Sequence, residues 1–259
     1  MGLPVERSAL PLNAKFSGSP GVAVPLARLQ LLERFSFEYA GVHVALPAAL
    51  QRLVAFLAVR GPSHRCVIAG TLWPDITETH ALGRLRTSMW RMNRLGPGLL
   101  IAGGASVRIN DAIDVDSRRQ EEFATELLRG RVEDGCVTDG LSALLGGCLL
   151  PGWYDDWVLF ERERLHQLRL HALESASADL LRMGQLPDAL QAALEAVRAE
   201  PLRETSNVVL ISVYLAEGNA VDALRQYDVF RSLLDRELGL APSPRLERLL
   251  QPVRRVTLR

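Results

Sequence analysis

Residues 77–98 of the chain read TETHALGRLRTSMWRMNRLGPG and contain the most informative pattern in the sequence. The apolar side chains of this stretch recur at intervals of three and four residues, which predicts a helix that begins after Thr77 and ends near Arg94. The glycines and the proline of Gly96-Pro97-Gly98 stop that helix. In a projection at about 100° per residue, four apolar side chains fall on one face and predict a core there: Leu82, Leu85, Met89 and Met92.

The opposite face of this helix is basic. No acidic residue occurs between Glu78 and Asp111, so no carboxylate nearby in the sequence neutralises it. Arg86 and Trp90 project at the edge of the face, where either is able to reach a phosphate. For Trp90, packing against a following hairpin is the preferred interpretation. Three arginines and two hydroxyls form the basic face itself: Arg84, Thr87, Ser88, Arg91 and Arg94.

The sequence before this helix predicts a small sheet and two more helices. Runs of alternating apolar residues between 29 and 46 predict three antiparallel strands, with a hairpin turn at Ala40-Gly41. A helix over residues 47–60 follows, and Ser63 is expected to cap a second, short helix over residues 65–73. The side chains expected to point inward from that short helix are Cys66, Ala69, Leu72 and Trp73.

The sequence after the basic helix predicts a second hairpin. Alternating apolar residues flank Gly103-Gly104, and residues 113–116 are able to add a closing strand. Strands, three helices and a hairpin in this order define an α+β winged helix-turn-helix domain with an extra sheet in front. We place this domain at residues 25–116, after a flexible N-terminal tail over residues 1–24.

Residues 117–259 predict an all-α domain with an internal repeat. Five residues recur with similar character at a spacing of 34, which is the tetratricopeptide period. Two such units are too few for a solenoid, so we expect the long helices on either side to complete a tetratricopeptide-like bundle. The matched pairs are Leu180 with Tyr214, Gly184 with Gly218, Asp188 with Asp222, Ala189 with Ala223 and Leu190 with Leu224.

An unpaired arginine stripe on an exposed helix is what entry into the DNA major groove requires. The groove admits an α-helix, guanidinium groups pair with guanine edges or phosphates, and hydroxyls bond either. We therefore interpret the third helix as the recognition helix of a sequence-specific DNA-binding regulator. His64 and Arg65 at the start of the second helix and Arg108 in the hairpin are candidate DNA-backbone contacts, with plain surface roles as the alternative.

The overall charge and the cysteine count exclude several classes of protein. The chain carries 30 basic and 30 acidic side chains, which excludes strong indiscriminate binding to nucleic acid. The net charge of the whole chain is therefore zero, but residues 1–116 are basic, since they hold 12 basic and 8 acidic side chains. Three cysteines without a CxxC pair argue against a disulfide framework and a thiolate zinc site. Neither a signal peptide nor a membrane-spanning run is expected, so a cytoplasmic location is the default.

Taken together, residues 28–254 resemble the Streptomyces antibiotic regulatory protein (SARP) family of transcriptional activators. In that family an OmpR-type winged helix precedes a bacterial transcriptional activator domain built from tetratricopeptide-like helices. Residues 149–174, LLPGWYDDWVLFERERLHQLRLHALE, carry the strongest single resemblance. The other matching stretches are LQLLERF at 29–35, LPAALQRLVAFLAVRG at 46–61, LWPD at 72–75, LRTSMWRMNR at 85–94 and ELGLAPSP at 237–244.

The resemblance implies a recognition surface and a set of partners. Family members bind direct repeats in promoter DNA and recruit RNA polymerase, and the helical domain is expected to hold partners or a second copy of the chain on DNA. The sequence departs from the family pattern at Glu33, where a glycine is usual, and at Ala48, Ala49 and Asn93, where basic residues are frequent. The residues implied for DNA contact are Arg84, Arg86, Thr87, Ser88, Arg91 and Arg94.

A protein-interaction adaptor is the rival interpretation, in which the winged helix packs against protein and the helical repeats carry the function. No cofactor, metal site or catalytic arrangement is expected from the residues, so we do not interpret the chain as an enzyme. Trp153, Tyr154 and Trp157 form an aromatic cluster before a long helix. Packing at the junction of the two halves is the preferred interpretation of this cluster, and a partner-binding patch is the alternative.

Overall fold

The computed structural model describes residues 26–257, without the side chains of Asp134 and residues 252–257. The predicted tail over residues 1–24 lies outside the described residues. The described chain divides into two compact units, one formed by residues 26–122 with 146–167 and the other by residues 123–145 with 168–257. We call them the winged-helix unit and the helical unit. The boundary predicted after residue 116 stays a prediction, and the contacts divide the chain differently.

The elements follow the predicted order. The first part of the chain forms β1 (Ala27–Gln30), β2 (Ser36–Tyr39), β3 (Val42–His43), α1 (Ala48–Arg60), β4 (Ser63–His64), α2 (Arg65–Leu72), α3 (Glu78–Leu95), β5 (Leu100–Gly103), β6 (Ser106–Ile109) and β7 (Ile113–Val115). The remainder forms α4 (Asp116–Leu128), α5 (Asp134–Leu144), α6 (Asp156–Arg182), α7 (Leu186–Ala199), α8 (Glu204–Ala216), α9 (Ala220–Leu238) and α10 (Pro244–Thr257). The predicted fold class, a winged helix-turn-helix domain followed by tetratricopeptide-like helices, is confirmed.

The winged-helix unit contains two small sheets besides the helices α1 to α3. The first has the order β3-β2-β1-β7, with antiparallel pairing among β1, β2 and β3 as predicted, and β7 lies parallel to β1. The hairpin turn between β2 and β3 has positive φ angles at both Ala40 and Gly41, which matches the twist of the strands. The second sheet has the order β4-β6-β5 and contains the wing hairpin.

The start of α2 differs from the prediction. Ser63 does not cap this helix, because it lies in β4 and pairs with Val107, and its hydroxyl donates to the carbonyl of Gly61. His64 is the residue at the N-cap position and makes no side-chain capping hydrogen bond. Cys66, which the sequence placed inward, is exposed. The short strand before α2 therefore fixes where the helix begins and turns its first residues toward solvent.

Residues 146–167 belong to the winged-helix unit, although they follow it by a long stretch of sequence. The amide of Leu150 donates to the carbonyl of Leu31 at 2.8 Å, and the amide of Glu33 donates to the carbonyl of Cys148 at 2.8 Å. These bonds join the segment to the chain just after β1. Five of its side chains are buried in the same core as α1 to α3: Leu149, Leu150, Trp157, Val158 and Leu165.

Two of the three residues in the predicted aromatic cluster pack within this unit. The ring of Trp153 stacks on Phe35, with centroids 5.9 Å apart. Trp157 is buried and meets Phe56 edge-on at 5.3 Å. Tyr154 is left 80% exposed, so only this member is free on the surface for the alternative role.

The backbone at Glu33 explains why a glycine is usual at this position in the family pattern. Its φ angle of 66° lies in the left-handed region, which glycine adopts at little cost and other residues rarely adopt. A glycine at this position, as the resemblance implies for relatives, avoids that strain. In this chain Glu33 adopts the strained conformation, and its backbone amide donates a hydrogen bond to the carbonyl of Cys148.

A buried carboxylate links α1 to α6 inside the winged-helix unit. The carboxylate of Glu161 accepts hydrogen bonds from Arg60 Nη1 at 2.6 Å and from Arg164 Nε at 2.7 Å. Burial alone would raise the pKa of Glu161, but the hydrogen bonds from Arg164 and Arg60 bring that pKa below its ordinary value of 4.5. The ionised form is therefore favoured in the folded chain.

We expect Glu161→Gln to lower the free energy of unfolding of the full chain by about 1–2 kcal/mol near neutral pH. Because the folded-state pKa lies below the ordinary value of 4.5, the contribution is fully present above that pH and is lost as the pH falls through the folded-state pKa. Urea unfolding at a neutral and at an acidic pH measures the change. Glu163→Gln is the matched control, since Glu163 is exposed on the same helix. An effect of equal size at both pH values would contradict this assignment.

The repeat predicted in the helical unit is reproduced in its geometry. Gly184 follows α6 and Gly218 follows α8, with φ angles of 75° and 76°. Ala189 in α7 and Ala223 in α9 are both fully buried. The two alanines therefore lie where helices pack closely, as predicted. The two glycines have a different role: a Cβ would meet nothing within 4 Å at either, so they are needed for positive φ at a helix end.

Candidate nucleic-acid interface

The buried side of α3 determines which of its residues face solvent. Its fully buried residues are spaced by four, three and four positions, which is a single stripe along the helix. Ser88 belongs to this stripe and is only 5% exposed, so its predicted place on the basic face is wrong. Small side chains at Ala81 and Ser88 let α3 pack closely against its neighbours. The buried residues of α3 are Ala81, Leu85, Ser88 and Met92.

The exposed face of α3 is consequently turned by roughly 90° from the predicted one. Arg86 and Trp90, which the projection placed at the edge, lie opposite the buried stripe and form the centre of the face with Thr87 and Arg94. We call these four residues the central face. Arg84 and Arg91 are also exposed and form its flank, close to the buried stripe. The central face and the flank together contain six exposed side chains: Arg84, Arg86, Thr87, Trp90, Arg91 and Arg94.

Trp90 is more exposed than the sequence predicts. Its side chain is 58% exposed, so the preferred interpretation, packing against the hairpin, is wrong. The guanidinium of Arg94 lies over the indole, with Cζ 5.1 Å from the ring centroid. A cation over an aromatic face is held by the ring quadrupole, which orients the guanidinium. Tryptophan and arginine together present a flat, positively charged surface.

The arginines of α3 have no carboxylate partner in the part of the chain that the structure describes. Among the residues that the structure describes, Arg84, Arg86, Arg91 and Arg94 form no ion pair. The hydroxyl of Thr87 donates to the carbonyl of Gly83 at 3.1 Å, which leaves its oxygen as an acceptor facing solvent. Such a face has donors and charge to offer to an anionic partner.

The three candidate backbone contacts lie in different surroundings. His64 is exposed at the N-cap of α2, and Arg65 is the first residue of the helix. The Nε atom of Arg65 is buried and has no hydrogen-bond partner among the described residues. Arg108 in β6 pairs with Asp111 at 2.7 Å, so its charge is partly offset. Of the three, Arg65 has the largest unmet capacity to donate.

Within residues 26–257, neither a membrane-spanning helix nor a metal-binding cluster is found. None of the helices there combines the length and the apolar character that crossing a membrane requires. Within the same residues, no group of three or more histidine, cysteine, aspartate and glutamate side chains is placed to hold a metal ion.

The winged helix with its exposed basic α3, and the repeated helices after it, define the class of winged helix-turn-helix proteins that carry a tetratricopeptide-like unit. Comparison with known families is more specific. Residues 116–254 match the model of the bacterial transcriptional activator domain. The chain belongs to this family, and it is a regulator of the SARP type, as the resemblance implied.

The relatives agree with this assignment. The chain is 30% identical over 190 residues to the regulatory protein AfsR of Streptomyces coelicolor, which covers 70% of this chain and 19% of that protein. It is 29% identical over 206 residues to AfsR of Streptomyces griseus, which covers 74% of this chain and 21% of that protein. The chain therefore spans about a fifth of the length of these two relatives.

A solved structure has the same fold. Mycobacterium tuberculosis EmbR, in a complex with a low-affinity phosphopeptide, superposes with a TM-score of 0.69 at 20% identity. The match covers 89% of this chain and 65% of EmbR. At this identity the likeness supports the fold, including the winged helix and the helical domain, and nothing finer.

Proposed function

We propose that this chain binds double-stranded promoter DNA sequence-specifically and activates transcription by recruiting RNA polymerase. In this proposal α3 enters the major groove, and its central face reads base edges. The single observation that carries the proposal is that face: Arg86, Thr87, Trp90 and Arg94 are exposed on a winged helix, and among the described residues no carboxylate pairs with its two arginines. Guanidinium forks are the usual partners of guanine edges in that groove.

The flank and the start of α2 are assigned to the DNA backbone. Arg84 and Arg91 lie at the side of α3, where a helix in the groove passes a phosphate strand. His64 and Arg65 add a basic side chain at a helix N-terminus, where backbone amides and the helix dipole favour an anion. Arg108 in the wing is assigned to the adjacent minor groove, with Asp111 weakening its contribution.

Activation and partners rest on family membership. The helical unit contains most of the residues that match the bacterial transcriptional activator domain, and we assign to it contacts with RNA polymerase or with a second copy of the chain on DNA. A cytoplasmic location belongs to the same proposal. In the adaptor alternative, α3 binds protein and not DNA, and the following experiment distinguishes the two.

Binding to a duplex from the region upstream of the gene tests the proposal. We expect specific binding whose affinity falls by on the order of 10- to 1000-fold between about 50 and 200 mM salt, because phosphate contacts release counterions. Fluorescence anisotropy measures the affinity, with a scrambled duplex of equal length as the control. Equal affinity for both duplexes, or no binding at low salt, would leave the adaptor as the better interpretation.

A reporter assay tests the activation step separately. A chain of residues 1–167 keeps every described residue of the winged-helix unit and removes most of the helical unit. We expect it to retain DNA binding and to lose the increase in promoter output that the full chain produces. Undiminished output from the shortened chain would contradict the assignment of activation to the helical unit.

A further inference from the structure

A cavity of about 290 Å³ lies between the start of α2, one side of α3 and the wing. Its walls are of two kinds. His64, Arg65 and Arg86 supply basic side chains, and Leu82, Leu85 and Met89 of α3 supply an apolar wall. None of the described residues that line the cavity is acidic. The volume is near the lower end of the range of cavities that bind small molecules.

Arg65 has hydrogen-bonding capacity directed to no protein group. Its Nε atom is buried and unpartnered among the described residues, although buried donors are nearly always satisfied. At the start of α2, the amide of Arg65 donates to the carbonyl of Ala105 at 2.9 Å, and the N-cap residue His64 makes no side-chain capping hydrogen bond. Arg65 as a whole is half-buried and lines the cavity with His64 and Arg86, so an anion held there would meet three basic side chains.

The apolar wall determines the kind of anion. Inorganic phosphate or a DNA phosphate is hydrated on every side and gains nothing from Leu82, Leu85 and Met89. A small organic anion, with a carboxylate or sulfonate on an aromatic or aliphatic body, places its charge at Arg65 and Arg86 and buries its body against α3. We infer that the cavity is a binding site for a small amphipathic organic anion.

Cys66 provides a reporter inside the cavity. It lines the cavity and is exposed, and Cys148 is exposed elsewhere in the same unit. The full chain is treated with N-ethylmaleimide, a neutral thiol reagent, with and without the fluorescent anion anilinonaphthalene sulfonate. Mass spectrometry follows the labelling of each cysteine. We expect the anion to slow labelling of Cys66 and to leave that of Cys148 unchanged.

Two arginine variants make the test specific. Arg65→Met and Arg86→Met each remove one charge from the cavity, and each is expected to lower the affinity for the anion by about tenfold. Fluorescence titration and the loss of Cys66 protection measure this change. Arg86 is exposed, so its variant keeps the fold if Arg65→Met does not. Arg231→Met, an exposed position on α9, is the matched control and is expected to change nothing.

Three outcomes would overturn the inference. The first is that the anion leaves Cys66 labelling unchanged, and the second is that both cavity variants bind it as the parent does. The third is protection of Cys66 by inorganic phosphate at the same concentration, because the site would then be one that accepts a DNA phosphate. The test contains no DNA, so its result does not depend on the proposed function.

Regulation would follow if both proposals hold, since His64, Arg65 and Arg86 serve the cavity and the proposed DNA interface alike. We then expect anilinonaphthalene sulfonate to weaken specific duplex binding, and Arg65→Met to lessen that effect. Failure of duplex binding alone would leave the cavity assignment standing, and failure of Cys66 protection alone would leave the DNA interface standing.

Discussion

Replacement of Trp157 by alanine is expected to lower the free energy of unfolding of the winged-helix unit by about 3–5 kcal/mol. Trp157 is 7% exposed and packs edge-on against Phe56 at 5.3 Å, in the core shared by α1 to α3 and residues 146–167. Its removal takes away a large buried surface and leaves a cavity between α1 and α6. Urea unfolding of the full chain, followed by circular dichroism, measures the change.

Two variants distinguish packing from a general effect on the helix. Phe160→Ala alters an aromatic residue on the same helix that is 75% exposed, and we expect it to change stability little. Trp157→Phe keeps an aromatic ring and removes the indole Nε1, which is buried without a partner among the described residues. Its cost is therefore expected to be well below that of alanine. Equal effects of Trp157→Ala and Phe160→Ala would show that residues 146–167 do not support this core.

The double variant Arg86→Ala with Arg94→Ala is expected to weaken specific DNA binding by about 2–6 kcal/mol, which corresponds to on the order of 30- to 10⁴-fold. Both side chains belong to the central face, opposite the buried stripe of α3. Loss of Arg94 also removes the cation from the Trp90 ring. Anisotropy with the specific and the scrambled duplex measures affinity and sequence preference together, and both are expected to fall.

The flank of α3 provides the comparison. We expect Arg84→Ala with Arg91→Ala to weaken binding to all sequences alike and to reduce the salt slope by about 2, as for two phosphate contacts. Arg231→Ala with Arg236→Ala removes two exposed arginines from α9 and controls for net charge. Suppose that the flank pair changes sequence preference and the central pair does not. The bases are then read by the face predicted from the sequence, and the assignment of base reading to the central face is wrong.

Most of the fold was predictable because its signals are local. The spacing of apolar residues in α1 and α3, the turn at Ala40-Gly41 and the 34-residue repeat each depend on neighbours in sequence. The position of residues 146–167 was not predictable in this way. Leu149 and Leu150 carry no local sign that they pair with the chain after β1, because such pairing is set by tertiary contacts.

The candidate site was predictable in composition but not in orientation. The arginines of α3 were identified from the sequence, whereas the projection weighted the large side chains Leu82 and Met89, which are only half-buried. The true buried stripe contains the small residues Ala81 and Ser88. Together with Leu85 and Met92 they are spaced by four, three and four residues. That spacing is the signal that could have given the correct orientation of the buried stripe around the helix axis. The cavity beside α3 has no sequence signature, since it is formed by three separate elements.

The dependence of the winged-helix unit on residues 146–167 has a consequence for how the protein is made. The carbonyl of Leu31 lacks its hydrogen-bond donor until Leu150 is synthesised, and the core is incomplete until Trp157 and Leu165 are added. A ribosome that adds about 5–20 residues per second has completed the wing several seconds before it delivers this segment. We expect the winged-helix unit of the nascent chain to be incompletely folded during that interval. If the chain binds DNA as proposed, we expect it to become competent for binding only after residue 167 has been synthesised.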